Sequence, residues 1–183
     1  MKNSIKSAVL VSAVLSAAAV LPAHAETAAP SDTTVVLVHG AFADGSSWNK
    51  VIPLLQAKGL KVVAVQNPLS SLADDVVAVQ RVVDAQTGKV VLVGHSWGGA
   101  VITQAGVNDK IKALVYVAAF APSEGEALGT VGKDFPLPPG IPTLKPDAAG
   151  FVTLSPESYA ANFAQDLPAA TTAAGRSCAK FAA

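Results

Sequence analysis

Of 183 residues only one is cysteine, Cys178, close to the end of the chain. A single thiol cannot close an internal disulfide, so stability has to come from packing and not from a covalent framework. Histidine is nearly as scarce: His24, His39 and His95 are the whole set. No Cys/His cluster stands at metal-ligand spacing, so no metal centre is expected. Charged residues make up only 14%, with 13 basic against 13 acidic. A formal balance of zero without a basic stripe argues against a nucleic-acid partner. Long apolar runs are missing too. The one at the start, Ala8 through Leu21, is shorter than the ~20 residues of a spanning helix, so no membrane span is expected.

That run has another reading. Lys2 and Lys6 precede it, and Pro22-Ala23-His24-Ala25 follows with small residues at 23 and 25. A basic start, an apolar stretch and an A-x-A site form a secretory signal, with cleavage expected after Ala25. The mature chain would then begin near Glu26, in the periplasm or outside the cell. What remains suffices for one domain with its own core and leaves no room for a second. The expected organisation is a signal over 1–25, a lead-in over 26–33, a core over 34–122, a cap over 123–167 and an irregular tail over 168–183.

Within the core, short β-branched runs alternate with helical patterns. Thr34 to Val38 is a continuous apolar run of the kind that forms a strand buried on both faces, and it ends in His39-Gly40. Asn49 is placed to cap a helix carrying Val51, Ile52, Leu54 and Leu55, closed by Gly59. Val62 to Val65 is the second strand. Ser70 or Ser71 caps the next helix, whose first turn holds Asp74 and Asp75, favourable for the helix dipole. Leu72, Val76, Val79 and Val83 mark its apolar face, and Gly88 its end. Val90 to Val93 and Ala113 to Val117 are the third and fourth strands, separated by a small-residue helix over Ala100 to Val107. This alternation implies an α/β fold: a parallel sheet with helices on both faces. Past Pro122, Pro136, Pro138, Pro139, Pro142 and Pro146 exclude a buried strand. A short helix can start at Pro156, after Ser155, and the segment reads as a Pro-rich cap.

The third strand runs directly into Gly94-His95-Ser96-Trp97-Gly98-Gly99. A G-x-S-x-G between a strand and a helix is a nucleophile elbow, with Ser96 as the nucleophile. The tight turn lifts the hydroxyl above the sheet, and the helix N-terminus favours developing negative charge. His39-Gly40-Ala41-Phe42 ends the first strand at the same carboxyl edge. Acyl transfer needs two N–H donors on the oxyanion: the backbone of Trp97 is one candidate, and Ala41, with Phe42 as runner-up, the other. Phe42, Trp97, Phe151 and Phe163 would line an apolar substrate pocket.

With Val36 to Ala41, Trp48, the Gly59-to-Val65 strand entry and the Gly94-to-Gly99 elbow in view, the chain resembles the α/β-hydrolase superfamily, in particular its small cofactor-free esterase branch of plant methylesterases and hydroxynitrile lyases. The resemblance covers about residues 34–122. It implies serine-dependent hydrolysis of a small-molecule ester without a metal or organic cofactor. It also implies a triad running Ser, acid, His along the chain. No His follows Ser96. His39 is expected to brace the loop, and His95 to point away from Ser96, so the triad His and acid stay unassigned. The chain therefore reads as a core lacking the last strands of the fold, with a compositional break near Ala170 of the kind a frameshift or early stop would leave. Such a sheet would expose an apolar edge open to self-association. Three functions are in play: an esterase, a lyase on the same site, and a catalytically inactive remnant or binding module, the last because a serine without a base is a poor nucleophile.

Overall fold

Consecutive β-branched residues favour extended backbone and pack well on a pleated surface. Four such runs form one parallel sheet in a computed structural model that describes residues 32–168 and the backbone of Ala179–Lys180. The strands are β1 (Thr33–Val38), β2 (Lys61–Ala64), β3 (Lys89–His95) and β4 (Ile111–Val117), in the order β2-β1-β3-β4. The expected signal, most of the lead-in and most of the tail, Cys178 included, lie outside the described residues.

Period-two alternation explains why β1 is apolar throughout. Val36 and Val38 face one core, with Val90 and Leu92 of β3. Val35 and Leu37 face another, with Trp48, Ile52 and Leu55. Each valine or leucine so buried contributes about 1.5–3 kcal/mol. The first face is covered by α2 (Leu72–Asp84), through Val76, Val79 and Val83, and by α3 (Trp97–Ala105), through Val101 and Ile102. The second is covered by α1 (Ile52–Gln56). Helices thus flank both faces, as the alternation of runs implies.

Two expectations about helix ends need correction. Asn49 does not cap α1. It closes a 3-10 turn over Gly45–Trp48, which Asp44 caps by accepting the Ser46 N–H at 2.7 Å. Helix α1 starts at Ile52, with Val51 as its cap residue, no side-chain cap bond and Pro53 in its first turn. Gly88 does not end α2 either, since α2 stops at Asp84 with Ala85 as its cap residue. Gly88 instead lies where a Cβ would collide with the Asp32 carbonyl, so only glycine allows this approach to β3.

The Pro-rich segment holds a short 3-10 turn, Ile141–Thr143, then β5 (Phe151–Val152) and α4 (Pro156–Asn162). Ser155 caps α4 on the Ser158 N–H at 3.1 Å. Strand β5 pairs antiparallel with β6 (Ala179–Lys180), a two-residue strand in a stretch expected to be irregular. Strand β4 forms the outer edge of the main sheet. Val115, Tyr116 and Val117 there are 42%, 39% and 41% exposed. No helix among the described residues is long and apolar enough to cross a membrane.

Ser71 Oγ accepts the Asp74 N–H at 3.0 Å and opens α2, which covers one face of the sheet. Ser71→Ala is expected to lower the unfolding free energy by about 1 kcal/mol, read from urea titration.

Candidate active site

The strand-to-helix turn after β3 can close only if its backbones approach closely. A Cβ on Gly98 would lie 2.5 Å from the Val38 carbonyl oxygen and 2.8 Å from that of His39. One on Gly94 would lie 2.5 Å from the Gly98 carbonyl oxygen, and one on Gly99 would fall on the Phe120 carbonyl. Three glycines are therefore sterically required. Between them Ser96 takes φ +52° and ψ −119°, a left-handed backbone that costs a non-glycine residue about 1–3 kcal/mol. Surrounding hydrogen bonds hold it there. Its carbonyl accepts the Gly99 N–H at 3.0 Å and the Phe120 N–H at 3.1 Å, and its N–H donates to the Val117 carbonyl at 3.4 Å. Ser96 is also the N-cap residue of α3, so the helix begins at the nucleophile candidate.

The loop after β1 lies against this turn. A Cβ on Gly40 would come within 2.9 Å of the Ser96 Cβ, which places His39 to Phe42 beside the elbow. Phe42 sits at φ +60° and is buried, its ring edge-on to Phe163 at 6.1 Å between centroids. Phe163 in turn packs on Tyr159 of α4 at 4.9 Å. The cap thus rests on the β1 loop through three aromatic rings. Burial, with a smaller push from Asp44, raises the Tyr159 hydroxyl above its ordinary value, so Tyr159 is a neutral packing group.

Neither described histidine hydrogen-bonds Ser96. His39 is 1% exposed, and both of its nitrogens are committed. Nδ1 lies 2.9 Å from the Gly40 carbonyl, which can only accept, and Nε2 lies 2.9 Å from the Asn67 N–H, which can only donate. The proton therefore sits on Nδ1, and the Nε2 lone pair is already used. His39 braces the loop, as the resemblance implies. His95 points toward the other core and packs edge-on to Trp48 at 6.5 Å. Burial first, then the nearby His39, pushes its imidazole below the ordinary value. Among the described residues no imidazole or carboxylate hydrogen-bonds the Ser96 hydroxyl.

Trp97 departs from its expected place in a substrate pocket. Its indole is 4% exposed and turns into the core, where Nε1–H donates to Asp75 Oδ2 at 2.7 Å. Asp75 stands in the first turn of α2, as expected, and is 0% exposed. Its Oδ1 accepts the Leu69 N–H at 2.8 Å. Burial raises its carboxyl above the ordinary range, opposed by the bonds from Trp97 and Leu69. Phe151 and Phe163 are half-buried. A groove of about 410 Å³ between the Gln66–Ser70 segment and α2 touches none of the expected site residues. Among the described residues no group of three or more His, Cys, Asp or Glu could hold a metal ion.

Gly98→Ala must move backbone and is expected to cost about 3 kcal/mol or prevent folding, judged by yield and urea unfolding. His95 has a folded pKa below its ordinary 6.5, so the unfolded chain takes up the proton first as pH falls. Its share of the stability is full above 6.5 and is lost as pH drops through the folded value. The fall in unfolding free energy between about pH 7.5 and about pH 5.5 should therefore be smaller in His95→Gln than in the parent.

Comparison with known proteins places this geometry. A family model described as the alpha/beta hydrolase family matches residues 35–183. Salicylic acid-binding protein 2 of Nicotiana tabacum is 38% identical over 102 residues, 48% of this chain and 39% of that protein. Methylesterase 2 of Arabidopsis thaliana is 34% identical over 120 residues, 55% of this chain and 44% of that protein. The chain thus spans about two fifths of the length of these relatives. Among solved structures, a pyrethroid hydrolase from Sphingobium faniae JZ-2 superposes with a TM-score of 0.65 at 24% identity, over 74% of this chain and 62% of that one. An extracellular alpha/beta-hydrolase from a Paenibacillus species does so with a TM-score of 0.61 at 24% identity, over 78% of this chain and 63% of that one. At such identity these two show the fold alone.

Proposed function

The chain belongs to the alpha/beta hydrolase family, and from that premise we propose that it carries the nucleophile half of a carboxylic ester hydrolase centred on Ser96. One observation carries the reading: a serine held at φ +52° between a parallel strand and a helix, with the loop of a neighbouring strand against its Cβ. That strain has a use if the hydroxyl must stand clear of the sheet. In the proposed reaction Ser96 Oγ attacks the acyl carbon and loses its proton to a general base. The oxyanion is held by the backbone N–H groups of Ala41 and Trp97, with Phe42 bordering the pocket. The alcohol leaves with the proton, and water then cleaves the acyl-serine ester to regenerate Ser96 and release the acid. The relatives named methylesterase and pyrethroid hydrolase support a small carboxylic ester as substrate.

A second reading has its own observation. No His follows residue 96, and both nitrogens of His39 are engaged. A chain with this elbow and no base would be a binding module, or a remnant without turnover. We further propose export, with the mature chain starting near Glu26, supported by the basic, apolar and A-x-A pattern of its first 25 residues. Self-association through the edge of β4 is supported by the exposure of Val115, Tyr116 and Val117.

The test is hydrolysis of nitrophenyl acetate by the chain beside Ser96→Ala. The esterase reading expects Ser96→Ala to lower the rate at least about 100-fold. Equal background rates in both would leave the binding-module reading standing.

A further inference from the structure

We propose that Asp75 is a positioning residue that holds the two oxyanion-donor segments in register with Ser96; this rests on the role of Ser96, Ala41 and Trp97 given above. A carboxylate at 0% exposure is a costly way to satisfy one indole N–H, since a backbone carbonyl would serve in an apolar core. Asp75 does more than that. Oδ2 takes the Trp97 indole at 2.7 Å, and Trp97 is the residue directly after Ser96. Oδ1 takes the Leu69 N–H at 2.8 Å, and Leu69 sits at φ +54°, a strained non-glycine conformation. Two residues before it, the Asn67 N–H donates to His39 Nε2 at 2.9 Å, and Asn67 Nδ2 donates to the His39 carbonyl at 3.3 Å. His39 leads directly into Gly40 and Ala41.

One buried carboxylate therefore ends two chains of contact. The first runs through the Trp97 ring to the Trp97 backbone. The second runs through Leu69, Asn67 and His39 to the Ala41 backbone. These are the two segments whose N–H groups would meet on the oxyanion, and they come from different strands with no direct covalent tie. Charge-assisted bonds at both oxygens are stronger and more directional than neutral ones, so they suit the task of fixing a spacing. The roles of both oxygens also make Asn a telling replacement. It is nearly isosteric but offers one acceptor oxygen in place of two, so it can satisfy Trp97 or Leu69 and not both.

The test compares the full chain with Asp75→Asn, and with Trp97→Phe as a second way to cut the same clamp should Asp75→Asn fold poorly. Urea unfolding confirms that each variant is folded. On nitrophenyl acetate, kcat is expected to fall about 10- to 100-fold with KM within about twofold, because donors misaligned by a fraction of an ångström affect the transition state more than ground-state binding. Asp75→Asn placed on Trp97→Phe should lower kcat little further, because with the indole gone the single Asn oxygen can still accept the Leu69 N–H. Amide NMR supplies a readout independent of turnover. In Asp75→Asn the Ala41 and Trp97 backbone resonances should shift more than those of α1 and β2. A folded Asp75→Asn with parental kcat, or with no preferential shift at Ala41 and Trp97, overturns the positioning role. If the parent shows no Ser96-dependent turnover, the esterase reading fails by itself, and the NMR comparison still decides whether Asp75 holds the two segments.

Discussion

The approach of α3 to the end of β1 sets the terms for everything at the carboxyl edge of the sheet. With 2.5 Å between the Val38 carbonyl oxygen and the place of a Gly98 Cβ, there is no slack in this contact. It fixes where α3 begins and so where Ser96 stands. It also brings the β1 loop against the turn. The backbone of Ser96 is then latched from the far side by Val117, the last residue of β4, and by Phe120 just past it. Strain at one residue survives because rigid strands on either side leave it no alternative.

Much of this was legible in the sequence, and the reason is local. Strands buried on both faces need unbroken β-branched runs, and Thr34 to Val38 and Val90 to Val93 are such runs. An elbow needs small residues at fixed offsets from a serine, which Gly94, Gly98 and Gly99 supply. What failed depended on contacts between distant segments. Asn49 has the right chemistry for a cap, but it closes the 3-10 turn that Asp44 opens, and α1 starts later. Trp97 reads as a pocket wall from its place in the motif, whereas its ring is drawn into the core by a carboxylate 22 positions earlier. Asp75 resembles its neighbour Asp74 in every local respect. Yet Asp74 is exposed and bonded to Ser70, while Asp75, one step round the helix, faces α3. An i to i+1 step turns a side chain by about 100°, enough to move it from solvent to core.

The histidines show the complementary lesson. The expectation that His39 braces its loop came from resemblance, and the hydrogen bonds give it a mechanism. A ring with a carbonyl on one nitrogen and an N–H on the other is a spacer of fixed length and fixed tautomer. It joins β1 to the Asn67 segment as a backbone bridge would, at a point where β2 has already ended. The cap enters the same arrangement from above through the Phe42, Phe163 and Tyr159 rings. The loop beside Ser96 is therefore held from three directions.

The left-handed backbone of Ser96 bears on how such a sequence can drift. Glycine adopts φ +52° without penalty, so Ser96→Gly would relieve about 1 kcal/mol or more of strain while leaving the turn intact. Serine and glycine codons differ by a single base in some cases, so the exchange is mutationally close. A lineage with no use for the hydroxyl would find a more stable protein one step away. If Ser96 is the proposed nucleophile, serine at this position is a record of selection acting on chemistry against the grain of folding, written into one dihedral angle.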